Sequence, residues 1–77
     1  MTGAVPRLIK ITFTERFPLD LVDSLADGDF IGLGFAYRHD DRRVIYVRPR
    51  PEAYALLIKQ LDAWKSEGQL SYVEEAR

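Results

Sequence analysis

Two runs of period-two alternation meet across His39, Asp40, Asp41 and Arg42, and this pattern constrains the chain more than any other feature. Over residues 30–38, Ile31, Leu33, Phe35 and Tyr37 fall on one side and Gly32, Gly34 and Ala36 on the other. Residues 43–48, with Val44, Ile45, Tyr46 and Val47 between two arginines, are β-branched and aromatic over the length of a strand. The two runs therefore predict a β-hairpin turning through the polar residues between them. Closure pairs Arg38 with Arg43, Tyr37 with Val44, Ala36 with Ile45, Phe35 with Tyr46 and Gly34 with Val47. One face then carries Leu33, Phe35, Tyr37, Val44 and Tyr46, bulky enough to hold a helix. The other carries Gly32, Gly34, Ala36, Ile45 and Val47 as a flat apolar patch, with Arg38 and Arg43 at its end.

Flanking segments supply the rest of a small domain. After a loose lead-in over residues 1–6, Ile9, Ile11 and Phe13 alternate with Lys10, Thr12 and Thr14 as in a half-buried strand. Pro18 suits the start of a helix with Asp20 in its first turn and Leu21, Val22 and Leu25 as a short apolar stripe, ended by Gly28. Pro49 and Pro51 stop the hairpin, and Pro51 with Glu52 opens a longer helix whose Tyr54, Leu57, Ile58, Leu61 and Trp64 recur three or four apart. Gly68 closes that helix, and residues 69–75 with Leu70, Tyr72 and Val73 fit a last, edge strand. The order is strand, short helix, strand, strand, helix, strand, which predicts an α+β ferredoxin-like two-layer sandwich as one domain over residues 1–77. A β-meander crossed by one helix is the fallback if the first helix is an irregular loop.

Composition narrows what such a domain does. The 77 residues contain no cysteine, which removes disulfides, thiolate zinc sites and a cysteine nucleophile together. Eleven basic against twelve acidic residues give a net charge of -1, so bulk charge does not draw the chain to nucleic acid or membrane. No apolar run approaches the length of a membrane span, and the expected location is cytoplasmic.

Catalytic and metal-binding patterns are weak. The one histidine, His39, reads as a solvated turn residue, and none of Ser24, Ser66 and Ser71 lies in a nucleophile elbow. Asp20, Asp23, Asp27 and Asp29 cluster around the short helix. The stretch from Asp23 fails as a calcium loop because its third position is Leu25 and its twelfth is Gly34. Gly32 and Gly34 are spaced as strand residues, with no Gly-Lys-Ser/Thr after them to cradle phosphate. No cofactor is implied.

Arginine is the sharper signal. Arg38, Arg42, Arg43, Arg48 and Arg50 lie within thirteen positions that hold two acids, a local charge of +3. Tyr37, Tyr46 and Phe35 interleave with them, a combination that suits base stacking as well as protein contact. Residues 31–36 share two glycines and an aromatic with the octapeptide of RNA-recognition motifs. They depart from it at Leu33, at Ile31 and in strand position, and the expected parity turns Phe35 toward the helix, so no family is assigned.

These features point to a non-enzymatic protein-interaction module, a small regulator, inhibitor or accessory subunit. It would bind a larger protein, or a second copy of itself, through the flat sheet face and the arginine-bearing hairpin. The expected contacts are Arg38, Arg43, Ile45 and Val47, with Arg48 beside them. The alternative is a nucleic-acid-binding domain in which the arginines of residues 38–50 hold phosphates.

Overall fold

The computed structural model describes residues 8–26 and 28–76, with only the backbone of Tyr72 and Ala76. The lead-in over residues 1–6 and Asp27 of the acidic cluster lie outside the described residues. Alternation in the first strand, β1 (Leu8–Phe13), sends Ile9, Ile11 and Phe13 into the core and leaves Lys10 and Thr12 on the other face. The short helix α1 (Leu19–Leu25) starts at Pro18, whose carbonyl accepts the Leu21 and Val22 amides at 3.0 and 3.2 Å. Then follow β2 (Gly28–Asp29), β3 (Gly34–Arg38) and β4 (Val44–Pro49), a 3-10 turn (Pro51–Ala53), helix α2 (Tyr54–Ser66) and β5 (Leu70–Ala76).

The strands form one antiparallel sheet in the order β2-β3-β4-β1-β5. The ferredoxin-like sandwich expected from the sequence, with its strand-helix-strand-strand-helix-strand order, is therefore corrected, although the chain remains α+β. An additional strand, β2, follows α1 and pairs with β3 through Gly28 with Ala36 and Asp29 with Phe35. It runs opposite to β1, so α1 does not carry the chain back between parallel strands. Length explains this: seven helical residues rise about 10 Å, whereas a six-residue strand extends about 20 Å. The chain makes its return through β2 and a tight turn instead.

That turn shortens the strand expected over residues 30–38 to Gly34–Arg38. The Leu33 amide donates to the Phe30 carbonyl at 2.8 Å, and the two central residues both have positive φ, 46° at Ile31 and 75° at Gly32. Positive φ at both centres is the type I′ pattern that suits the twist of a hairpin. Gly32 fits it without strain, and its amide donates to Asp29 Oδ2 at 2.9 Å. Ile31 is β-branched and strained there, and its side chain stays 47% exposed. Replacing Ile31 with Asn should stabilise the fold by about 1 kcal/mol, read from the urea midpoint, since Asn tolerates this conformation. A lower midpoint would mean that the side chain contributes packing that outweighs the strain.

The main hairpin keeps the expected parity but pairs differently. Arg38 lies opposite Ile45, Tyr37 opposite Tyr46, Ala36 opposite Val47, Phe35 opposite Arg48 and Gly34 opposite Pro49. The shift by two separates Arg38 from Arg43, two like charges that the expected closure would have set directly against each other. Gly34 is needed for strand contact: a Cβ there would sit 2.5 Å from the Arg48 carbonyl oxygen and 2.8 Å from Pro49 Cα.

The helical layer covers the face opposite to the one expected. Ala36, Ile45 and Val47 join Ile9 and Ile11 in a continuous floor of small and β-branched residues, and Leu57 and Leu61 of α2 pack into the same core. Above this floor the half-buried Trp64 meets Phe13, Phe17 and Phe30 edge-on at 6.0, 5.2 and 6.0 Å between ring centres. The end of α2 is fixed at Gly68, whose φ of 76° lets its own amide and that of Gln69 reach the carbonyls of Lys65 and Trp64. Among the described residues no helix is long and apolar enough to cross a membrane.

Candidate functional site

With the floor residues turned toward α2, the opposite face of the sheet carries the aromatic side chains. Alternation along β3 and β4 places Phe35, Tyr37, Tyr46 and Arg48 there together, and the register adds Lys10 beside Tyr46 and Glu74 beside Lys10. Phe35 is 52% exposed and Tyr37 40% exposed, large values for aromatic side chains in the middle of a sheet. Their rings lie 5.0 Å apart at 51°, and the Arg48 guanidinium stands over the Tyr37 ring at 5.7 Å. His39 extends the row, its ring 5.4 Å from that of Tyr46, while its Nδ1 accepts the Asp41 amide at 3.1 Å. Tyrosine favours such a face because its ring contributes contact area while its hydroxyl stays in water.

The five residues expected to form the contact surface are dispersed. Ile45 and Val47 are 1% and 0% exposed and belong to the core, so they are not available to a partner. The small residues around them serve the chain's own helix, and the close approach that Gly34 permits is to the backbone of β4. Arg43 is half-buried and turned inward, its Nη1 donating to the Thr14 carbonyl at 2.8 Å and the Phe17 carbonyl at 3.2 Å. Arg38 stands at the end of β3 and bridges to Asp23 of α1 at 3.3 Å. Of the five, Arg48 lies on the open aromatic face.

Asp23 also receives the Arg42 guanidinium, so two hairpin arginines converge on one carboxylate. Hydrogen bonding from Arg42, then from Arg38, together with the charges of both, holds the Asp23 carboxyl below its ordinary value of 3.8, while lost hydration opposes the shift. A depressed folded-state pKa means that the stabilisation is complete above the ordinary value and fades as pH falls through the lowered one. The thermal midpoint of Asp23→Asn should therefore lie below that of the parent at neutral pH, with the gap closing in acid. A gap independent of pH would show that charge at Asp23 is not what ties α1 to the hairpin.

Two other members of the acidic cluster have local duties: Asp29 caps the turn at Gly32, and Asp20 occupies the first turn of α1. In the main hairpin, Asp41 Oδ1 accepts the Arg43 amide at 2.9 Å. Among the described residues no three His, Cys, Asp or Glu side chains gather as a metal site.

Sequence reasoning missed Phe35 and Tyr37 as surface residues. The signal that locates them lies in β1. Ile9 and Ile11 pair with Val47 and Ile45, so one strand of unambiguous polarity assigns the face of its neighbour. No protein-family model, no curated protein and no solved structure matches this chain.

Proposed function

We propose that this domain is a non-enzymatic protein-interaction module, a small regulator, inhibitor or accessory subunit, whose larger partner sits on the aromatic face of β3 and β4. The observation that carries this reading is the exposed pair Phe35 and Tyr37, whose rings meet at a tilt on a sheet face opposite the helical layer. Exposed aromatics with an arginine among them are the composition of interface hot spots, where rigid rings contribute contact area at low entropic cost. A cytoplasmic setting belongs to the same reading.

Nucleic acid is the second reading, favoured by the same exposed rings with Arg48 over Tyr37, since aromatic and arginine side chains hold single-stranded bases. The arginines weigh against it. Arg38 and Arg42 are engaged by Asp23, and Arg43 points inward, which leaves Arg48 and Arg50 of the five in the segment. Affinity for a polyanion grows with the number of phosphates neutralised, so two cations on a chain of net charge -1 give a weak electrostatic hold.

The test is affinity capture from source-cell lysate with two baits, the parent and the Phe35→Ala/Tyr37→Ala variant, after both are shown to melt at similar temperatures. The expected result is a protein retained by the parent and lost from the variant. A partner retained equally by both overturns the assignment of this face. Binding of labelled single-stranded oligonucleotide that weakens steeply with salt and vanishes in the variant overturns it in favour of nucleic acid.

A further inference from the structure

At one end of the aromatic face, Asp29, Gly34, Phe35, Arg48, Pro49 and Arg50 line an open-sided cavity of about 350 Å³. Its making is local. Gly34 lets β3 lie against the Arg48 carbonyl, and the Arg50 amide donates to the Leu33 carbonyl at 2.9 Å, which ties the exit of β4 to the turn before β3. Pro49 and Pro51 stiffen the chain on either side of Arg50, so this arginine is held at the rim by backbone restraint.

Charge in the cavity is uneven. Arg48 and Arg50 are both exposed, and among the described residues no carboxylate pairs with either. This contrasts with Arg38, Arg42 and Arg43, each satisfied within the fold. Asp29 also lines the cavity, its Oδ2 accepting the Gly32 amide, and its single negative charge is outnumbered by the two arginines. The lining therefore combines the Phe35 ring and Pro49 with two arginines, whose forked donors match a carboxylate.

We propose that this cavity receives the carboxylate of an acidic residue in an extended partner segment, with a neighbouring apolar side chain of that segment packed on Phe35 and Tyr37. The inference rests on the protein-interaction reading and adds the partner's chemistry: an acidic residue beside apolar ones. Charge complementarity selects it, because a neutral segment would gain no ion pair from the two arginines, and a basic one would be repelled. Ile31 sits on the turn flanked by Asp29 and Gly34, which line the cavity, and is exposed in a conformation that isoleucine rarely adopts.

The experiment is an NMR titration of the isotope-labelled full chain with a capped synthetic peptide alternating Glu with Leu and Tyr. Its isosteric counterpart with Gln in place of Glu, inorganic phosphate and oligothymidylate are titrated in parallel. Expected are amide shifts confined to residues 29–37 and 46–50 with the acidic peptide, and affinity weaker by about tenfold for the Gln peptide. Arg48→Gln and Arg50→Gln should each weaken the acidic peptide by a similar factor while leaving the Gln peptide unchanged. Equal affinity for the two peptides, with Tyr37→Ala still weakening both, overturns the carboxylate assignment and leaves the aromatic face standing. Acidic-peptide shifts that avoid residues 29–37 and 46–50, or no shifts at all, overturn it as well. Tighter binding of phosphate or oligothymidylate at the same residues overturns both readings together.

Discussion

Phe30→Ala should cost about 3–5 kcal/mol of folding stability, a large share of what a domain of this size has. The ring is fully buried, meets Trp64 at 6.0 Å, and belongs to the aromatic cluster that joins β1, the β2–β3 turn and α2. Removing it leaves a void that the rigid Trp64 ring beside it cannot fill by a small adjustment, so the cavity term adds to the lost burial. The same residue starts the tight turn through its carbonyl, and its amide donates to the Gly34 carbonyl at 3.0 Å. Urea denaturation would show a lower midpoint with little change in slope. A loss below about 1 kcal/mol would contradict the placement of Phe30 in the core.

Arg43→Glu should also destabilise the fold, by about 3 kcal/mol. From the sequence this substitution reads as a surface charge reversal that removes binding and spares the fold. The structure gives the guanidinium two carbonyl partners at the join between β1 and α1, and a carboxylate there would face those oxygens with no donor. Arg43→Lys should recover part of the loss, since one ammonium can reach one carbonyl but lacks the planar fork. If Arg43→Glu melts with the parent, the inward hydrogen bonds contribute nothing and Arg43 returns to the surface.

Much of the local structure is legible in the sequence because it follows from short-range chemistry. Alternation marks β1, the three- and four-residue spacing of Leu57, Leu61 and Trp64 marks α2, and Gly68 marks its end. The β2–β3 turn is less legible. Ile31, Gly32 and Leu33 continue the alternation of β3, and isoleucine at a left-handed position is a choice that steric preference argues against. The polarity of the hairpin is a tertiary property. Bulk suggests that Phe35, Tyr37 and Tyr46 face the helix, yet the helix selects the side continuous with Ile9 and Ile11, and that side is set by pairing between β1 and β4. Once the faces exchange, the expected contacts Ile45 and Val47 become core, and the site moves to Phe35, Tyr37 and Arg48. The arginines divide by the same logic: which of them meet a carboxylate or a carbonyl depends on α1 and the β1–α1 join, distant in sequence from the hairpin.

Which face of the hairpin is open can be measured directly, because the chain has no cysteine to interfere. Single variants Tyr37→Cys and Val47→Cys would each be exposed to a maleimide under native conditions and the labelling rates compared with those in urea. The expected result is that the thiol at position 37 labels at nearly its unfolded rate, whereas the thiol at 47 labels only as fast as the protein opens. Fast labelling at 47 with protection at 37 would return the helix to the aromatic face and contradict the binding surface assigned here.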